Sequence, residues 1–243
     1  MIRAATVAHP DAAPTVVRHP DLDTLSRGLA AAIGADLTAA IASRGLASLV
    51  VSGGQSPVGL FEQLRTLPLD WSRVCVALAD ERWVAPTDPA SNEKLVRDEL
   101  LKDAAAAARF KGLKNNAATP ELGASAAWQT FAGVPRPFDA VLLGMGDDGH
   151  TASLFPASPN LPAALDAGRA AACVGMQSPT APQARISLNL AALLDSRRIV
   201  LLITGESKWQ TYAAAGRPDP VEQMPVRAVL RQRRVPVEVH WAP

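Results

Sequence analysis

The sequence is poor in the features that mark disulfide-rich, nucleic-acid-binding or polyanion-binding proteins. Its 243 residues include two cysteines, Cys75 and Cys173, which are too few for a disulfide framework and lack the CxxC spacing of a zinc site. Aromatic residues make up 5%, which disfavours stacking platforms for single-stranded nucleic acid. With 24 basic and 23 acidic residues the net charge is +1, so no global field attracts nucleic acid or an anionic membrane. Any bound anion must therefore be held by a local cluster.

Long apolar runs are also scarce, although the overall composition is that of a folded domain. No uninterrupted apolar run approaches the roughly 18 residues of a membrane span. The N-terminal stretch carries acids and prolines before any apolar segment, unlike a signal peptide. Hydrophobic residues make up 48% and charged residues 19%, which excludes a disordered chain. We expect a cytoplasmic protein with a single α/β domain over residues 1–243 and no membrane partner.

Short apolar runs alternate with longer Ala- and Leu-rich segments, a pattern typical of βαβ units and a mostly parallel, buried sheet. A first helix is predicted over 23–43, where Leu and Ile recur every four residues. Prolines 156, 159 and 162 predict turns, and loops are predicted over 111–120 and 177–183. The predicted strands span 47–52, 74–79, 138–143, 170–174, 185–190, 198–204 and 235–241. Of the other predicted helices, one is capped by Ser91 and the rest begin at Pro57, Leu122, Leu190, Lys208 and Pro225.

Four polar segments, SGGQSP, ADERW, GMGDDGHT and ITGESK, each follow a predicted strand and precede a turn or helix. In open parallel sheets the carboxyl ends of the strands build the ligand crevice. We therefore expect these four turns to lie at one edge of the sheet and to form one site.

The SGGQSP segment suits a phosphate. Gly53 and Gly54 let the backbone approach a ligand, and the start of the following helix adds a positive dipole end beside Gln55 and Ser56. The pattern is not GxxxxGK[ST], so a nucleotide P-loop is not indicated. Taken alone, this segment is equally well interpreted as a tight strand–helix turn without a ligand.

The GMGDDGHT segment contains a formal GxGxxG, but a dinucleotide site is a poor interpretation of it. Asp147 and Asp148 lie where a pyrophosphate would sit, and like charges repel there. The segment reaches Pro156 too soon for a long helix, and no clean strand ends in an acid about 20 residues later. Backbone N–H groups between Gly144 and Gly149 are instead candidates for stabilising an oxyanion.

His150 is the candidate catalytic base. It follows two carboxylates, and a nearby carboxylate can fix its tautomer and raise its basicity. Asp148 is the predicted orienting carboxylate, although Asp147 is equally well placed in the sequence. A helix-start residue is the alternative interpretation of His150, and further ligands for a metal site are missing. Structural or solvated positions are predicted for the remaining histidines, His9, His19 and His240.

Three basic residues are candidate partners for an anion. Arg82 follows a predicted strand, Lys208 opens a helix, and Arg185 begins a strand, so its place at the edge is the least secure. Arginine can fork onto phosphate, whereas lysine acts as a point charge. For any one of them alone, a solvated surface position is the simpler interpretation. Asp80 and Gly146 complete the predicted ligand-contacting residues.

Seven segments spread over nearly the full length of the chain carry a resemblance to a known family. They are SGGQSP, ALADERWV, SNEKLVRDELL, FDAVLLGMGDDGHTASLFP, RISLNLAALL, ITGESKW and VEVHWAP. In these segments the chain resembles the soluble bacterial 6-phosphogluconolactonases of the glucosamine-6-phosphate deaminase/6-phosphogluconolactonase superfamily. The resemblance implies a Rossmann-like, mostly parallel sheet flanked by helices, shared with ribose-5-phosphate isomerases, and no nucleotide, metal or other cofactor. It also implies hydrolysis of 6-phospho-D-glucono-1,5-lactone in the pentose phosphate pathway. In that likeness His150 is the base and Arg82, Arg185 and Lys208 lie at the phosphate end of a sugar-phosphate substrate.

Two departures from related patterns bear on function. Many relatives have Ser or Thr after the two glycines, where this chain has Gln55, so a hydroxyl contact to phosphate is in question. The deaminase relatives have DEY where residues 80–82 are DER, and an additional glutamate and an NEP-like run in place of residues 151–156. A sugar-phosphate isomerase or deaminase, and a non-catalytic sugar-phosphate sensor, remain the alternatives. We expect a monomer or a weak homo-oligomer.

Overall fold

The computed structural model describes residues 13–178 and 182–243, where the chain forms ten β-strands and eight α-helices. His9 and part of the predicted loop 177–183 lie outside the described residues. The strands are β1 (Thr15–Arg18), β2 (Ala47–Val51), β3 (Val74–Leu78), β4 (Asp80–Arg82), β5 (Arg109–Lys111), β6 (Ala140–Leu143), β7 (Cys173–Met176), β8 (Arg185–Leu188), β9 (Ile199–Thr204) and β10 (Val237–Ala242). The helices are α1 (Leu22–Arg44), α2 (Val58–Leu64), α3 (Asn92–Glu99), α4 (Pro120–Gln129), α5 (Leu161–Leu165), α6 (Leu190–Leu193), α7 (Gly205–Ala215) and α8 (Val226–Arg231).

The main sheet has seven strands in the order β1-β10-β9-β6-β2-β3-β5, and every pair is parallel. Every residue of β2, β3 and β6 is buried. Such runs, apolar except for Ser48 in β2, are expected of parallel strands covered on both faces. The predicted fold class, a mostly parallel sheet flanked by helices, is confirmed.

Helix α1 shows how local and tertiary signals agree. The Asp21 carboxylate accepts a hydrogen bond from Thr24 N at 2.7 Å and caps the helix, which ends at Gly45 with φ 80°. By length and average composition α1 is apolar enough to be a candidate membrane span, although charged and polar residues interrupt its apolar runs, as expected from the sequence. Its apolar stripe is nevertheless packed in the core, where Leu25, Leu29 and Ile33 are fully buried.

A second, smaller sheet departs from the sequence-based prediction. The sequence predicts a turn at residues 80–82 and a strand over 185–190, with no second sheet. Instead β4, β8 and β7 form a three-stranded antiparallel sheet in which Arg82 lies directly opposite Arg185. The chain leaves the main sheet after β3, and Leu188 N donates to Ala79 O at 2.8 Å at that point. This pairing between distant segments has no local sequence signal.

Three further elements were not predicted. The edge strands β1 and β5 owe their conformation to pairing with β10 and β3, respectively. The predicted turn region after Pro156 includes the short helix α5, with Pro162 in its first turn, where the missing N–H costs nothing.

The strand order places three of the polar turns side by side. Strands β9, β6 and β2 are neighbours in the sheet, so their carboxyl ends lead to Gly205, Gly144 and Ser52 at one edge. Ser52 N donates to Leu142 O at 3.0 Å, which ties the turn after β2 to the end of β6. The fourth turn, after β3, becomes β4 and brings Arg82 to the same edge through the smaller sheet.

Candidate active site

Residues 144–151, here called the histidine loop, fold back on themselves after β6. Gly146 N donates to His150 O at 2.9 Å, and Gly149 N donates to Gly146 O at 3.1 Å. Thr151 Oγ1 donates to Gly144 O at 2.8 Å. Among the described residues, no helix begins directly after this loop, which agrees with our rejection of a dinucleotide site. Because the N–H groups of Gly146 and Gly149 are used inside the loop, these two are not available to an oxyanion. For the other N–H groups of this stretch the oxyanion role stays a prediction.

Asp148 is the carboxylate that contacts His150. Its Oδ1 lies 2.6 Å from His150 Nδ1 and also accepts a hydrogen bond from His150 N at 3.0 Å. Burial raises the pKa of Asp148, but the hydrogen bonds from His150 together outweigh it and leave the pKa below its ordinary value. Asp147, equally placed in the sequence, instead forms an ion pair with Lys208 at 2.9 Å. With Nδ1 engaged, His150 Nε2 is the ring nitrogen left for a substrate or water.

Gly146 is required by the contact between Asp148 and His150. A Cβ atom at position 146 would lie 2.1 Å from His150 Nδ1 and 2.6 Å from Asp148 Oδ1. Any side chain there would displace the imidazole or the carboxylate. The role of Gly146 in the structure is therefore to leave room for this pair.

Residues 52–56, here called the glycine loop, are shaped by neighbouring elements. A Cβ at Gly53 would lie 1.9 Å from Asn92 Oδ1 on α3, and Gly54 has φ 98°, which favours glycine. Ser56 Oγ lies 3.2 Å from Thr204 Oγ1 at the end of β9. Gln55 is exposed and, within the described part of the chain, does not line the cavity that Ser56 lines. The structure therefore brings Ser56, and not the Gln55 side chain, to the predicted site.

A cavity of about 280 Å³ joins the glycine loop, the histidine loop and α7. His150 and Lys208 both line it, together with Gly53, Gly54 and Ser56. The convergence expected from the sequence is thus present in the fold. The other residues lining this cavity are Ser52, Pro57, Asp80, Arg82, Asn92, Leu142, Leu143, Gly144, Met145, Gly146, Ala152, Leu202 and Ile203.

A second cavity of about 400 Å³ is lined by His150 and also by Arg185. Both cavities are lined by Asp80, Arg82, His150 and Ala152, so the imidazole borders each of them. Asp148 lines the second cavity. The predicted basic residues are therefore divided, with Lys208 in the first cavity, Arg185 in the second and Arg82 in both.

Arg82 and Arg185 form an unusual like-charged pair across β4 and β8. Like charges directly opposite each other destabilise a sheet. Burial, and next the charge of Arg82, lower the pKa of Arg185, whereas Asp80 and Glu81 act in the opposite direction. Arg185 is 8% exposed, and its Nε has no hydrogen-bond partner among the described residues. An anion bound here would relieve both the repulsion and the missing hydrogen bond.

Buried acids hold the strand and helix around these arginines. Asp80 Oδ2 accepts from Ser153 Oγ at 2.6 Å, which connects β4 to the segment after His150. Glu81, which is fully buried, accepts from Ser91 Oγ at 2.9 Å and from Asn92 N at 2.7 Å at the start of α3. Burial raises the pKa of Glu81, opposed by these hydrogen bonds. Glu81 thus anchors the helix that carries Asn92 over Gly53.

Sequence reasoning missed two polar residues at the first cavity, Ser52 and Asn92. Ser52 Oγ is buried and lacks a hydrogen-bond partner in the regions that the structure describes. Asn92 Nδ2 donates to Asp80 O at 2.8 Å. Ser52 sits directly before the two glycines, so its position at a strand end was a usable signal. For Asn92 no sequence signal indicates that its amide covers a glycine 39 positions earlier.

The other described histidines lie at the edge of the main sheet. His19 Nε2 is 3.1 Å from His240 Nδ1, and His240 Nε2 is 3.1 Å from Glu238 Oε2. These contacts join β10 to the end of β1 and fit the structural role predicted for both residues. Over residues 13–178 and 182–243, no group of three or more His, Cys, Asp or Glu side chains is placed to hold a metal ion.

Comparison with known proteins gives consistent results. Residues 20–241 match the family described as glucosamine-6-phosphate isomerases/6-phosphogluconolactonase. The chain is 47% identical over 218 residues to a 6-phosphogluconolactonase of Pseudomonas aeruginosa, covering 90% of each chain. A crystal structure of a 6-phosphogluconolactonase from Shewanella baltica is 46% identical, with a TM-score of 0.92 over 95% of this chain and 98% of that one. A monomeric glucosamine-6-phosphate deaminase at 22% identity, with a TM-score of 0.75 over 94% of this chain and 97% of that one, shares the fold.

Proposed function

The chain belongs to the glucosamine-6-phosphate isomerase/6-phosphogluconolactonase family, and from this premise we propose that it hydrolyses 6-phospho-D-glucono-1,5-lactone to 6-phospho-D-gluconate. Its similar relatives named 6-phosphogluconolactonase support this activity and its place in the pentose phosphate pathway. One observation carries the proposal for the site. His150, oriented by Asp148, borders a cavity that also contains the glycine loop and Lys208.

The phosphate of the substrate binds at the glycine loop. Backbone N–H groups next to Gly53 and Gly54, with Lys208 and Arg82, supply the positive potential that a phosphate requires. Ser56, which lines the cavity, offers a hydroxyl in place of the one missing at Gln55. Anchoring the phosphate orients the lactone, and orientation can remove a large share of a barrier.

His150 acts as the general base on the lactone carbonyl. Its Nε2 accepts a proton from a water molecule as the water oxygen bonds to C1, which gives a tetrahedral intermediate. When this intermediate collapses, the bond between C1 and the ring oxygen breaks, and His150 returns the proton to the leaving ring oxygen. Asp148, kept ionised by its hydrogen bonds from His150, stabilises the imidazolium formed between the two steps.

A lactonase assay with two substrates tests this function. We expect rapid hydrolysis of 6-phosphogluconolactone and much slower hydrolysis of the unphosphorylated gluconolactone, after subtracting spontaneous ring opening. Equal rates on both lactones would contradict phosphate anchoring.

Two results would point to other functions. Ammonia release from glucosamine 6-phosphate would indicate a deaminase, and phosphate-ester binding without turnover a sensor. A cytoplasmic location, a single domain over 1–243 and a monomeric or weakly associating state remain part of the proposal.

A further inference from the structure

Asp147, the carboxylate of the histidine loop that does not contact His150, pairs with Lys208, which lines the first cavity. Asp147 Oδ1 lies 2.9 Å from Lys208 Nζ and 3.5 Å from Ser207 Oγ. Thr211 Oγ1 donates to Asp147 O at 3.5 Å. All three partners lie on α7, so Asp147 connects the loop carrying His150 to the helix carrying the predicted phosphate-binding lysine.

The two members of this ion pair differ in their exposure to water. The Lys208 side chain is 25% exposed and lines the first cavity, whereas the Asp147 side chain is 74% exposed. Asp147 lines the second cavity but is not among the residues that line the first. An ion pair with one member so exposed is weak because water and salt screen it. A phosphate dianion entering the first cavity can therefore replace Asp147 as the partner of Lys208.

On the basis of the proposed function, we propose that Asp147 is a specificity-determining residue that acts as an exchangeable counter-ion for Lys208. Without substrate it keeps the ammonium group at the wall of the cavity. When the phosphate of the substrate binds, Lys208 transfers its contact from Asp147 to the phosphate. Asp147 thus sets how tightly the site holds phosphorylated ligands, and leaves ligands without phosphate unaffected.

The variant Asp147→Asn tests this, because it removes the charge and keeps an oxygen that can accept from Ser207 and Lys208. We expect the KM for the phosphorylated lactone to fall about two- to fivefold, the range of an exposed ion pair. The kcat should stay within about twofold, and kcat/KM for the unphosphorylated lactone should not change. A purely structural connection between the loop and α7 would alter both substrates alike, and that result would overturn the inference.

Two controls assign the effect to this ion pair. Glu206→Gln removes an exposed negative charge from the first turn of the same helix and leaves Asp147 and Lys208 in place. It should lower the KM less than Asp147→Asn does. In a Lys208→Met background, adding Asp147→Asn should leave the KM unchanged. A decrease in KM that persists there would show that Asp147 does not act through Lys208.

Calorimetric titration with inorganic phosphate separates this inference from the proposed function. Asp147→Asn should bind phosphate more tightly than the unmodified protein, and Lys208→Met more weakly. Unchanged phosphate affinity in Asp147→Asn would overturn the inference whatever the lactonase activity. Absence of lactonase activity, with phosphate affinity responding as expected, would refute the proposed function and leave the counter-ion role supported.

Discussion

The histidine loop and the glycine loop border the same cavity but are held in shape in different ways. In the histidine loop, the hydrogen bonds between Gly146, Gly149 and His150, and between Asp148 and His150, form within a few residues of the chain. Partners from elsewhere, Val226 N at Gly149 O and Lys208 at Asp147, contact the same loop without touching His150. The glycine loop is held by partners far away in sequence. The N–H of its first residue reaches β6, its second residue is covered by Asn92, and the hydroxyl of its last meets Thr204.

This difference separates the contact between Asp148 and His150, which forms locally, from a glycine loop whose shape depends on the whole fold. A change at Gly146, Asp148 or His150 should affect the chemical step and leave the rest of the molecule intact. A change in the glycine loop should lower the free energy of unfolding, and the size of this loss should depend on the residue that covers the loop. The following predictions test this contrast, beginning with the largest expected effect.

Replacing the imidazole should have the largest effect. We expect His150→Ala to lower kcat by about 10²–10⁴, the usual share of general acid–base catalysis. His19→Ala, which removes a histidine at the edge of the main sheet, should leave kcat close to normal for the folded protein. Steady-state kinetics on 6-phosphogluconolactone measures both variants. Near-normal turnover in His150→Ala, after correction for spontaneous opening, would exclude His150 as the base.

Adding a methyl group beside the imidazole should have the second-largest effect. Gly146→Ala places a Cβ against His150 Nδ1 and Asp148 Oδ1, and a shift of about 1 Å at a reacting group can cost roughly 10²-fold in rate. In Gly133→Ala, which lies outside both cavities, the new methyl would contact none of the described atoms within 4 Å, so its kcat should be nearly normal. Equal losses in both variants would show that the fit around His150 does not control turnover.

Adding a methyl group to the glycine loop should instead reduce stability. Gly53→Ala drives a Cβ into the Asn92 amide, and overpacking of this kind costs about 1–3 kcal/mol of unfolding free energy. In an Asn92→Ala background the same change should cost less, because the amide is gone. Denaturant unfolding of the four proteins gives the coupling. Strict additivity would contradict the long-range support that we assign to this loop.

The smallest expected effect is the pH dependence of the contact between Asp148 and His150. Because the pKa of Asp148 is lowered from 3.8 in the folded state, its stabilising contribution is present above that value and is lost as pH falls through the lowered pKa. Both side chains are partly exposed, so after solvent screening the contribution stays below about 1 kcal/mol. The difference in unfolding free energy between the unmodified protein and Asp148→Asn should therefore be constant above about pH 5 and shrink below about pH 4. A difference that grows towards acid pH would have the wrong sign for this contact.

Much of the architecture was predictable because its signals are local. Strands β2, β6 and β9 are almost entirely apolar, and α1 has a cap, an apolar stripe and a terminal glycine within its own sequence. The strands β1, β4 and β5 were missed because three or four residues without a distinct apolar pattern form a strand only when a partner supplies the hydrogen bonds. Pairing of that kind is a property of the folded chain.

In the candidate site, too, some features have local sequence signals and others depend on the folded structure. The proximity of Asp148 or Asp147 to His150 was expected from the sequence, and the choice between them required coordinates, since each lies within three residues of the imidazole. Residues that appear equivalent in the sequence point to different partners, one to His150 and the other to α7. Likewise, Gln55 and Ser56 are neighbours, but only Ser56 lines the cavity.

By itself the sequence determined the parallel sheet, the polar turns at the strand ends and the compact loop around His150, because apolar runs, glycines and short-range hydrogen bonds act over a few residues. Only the tertiary structure decided that Arg82 faces Arg185, that Asn92 covers Gly53 and that Asp147 holds Lys208. Each of these contacts joins two elements through side-chain or strand pairing, and such pairing depends on the distances that packing imposes after the chain has folded.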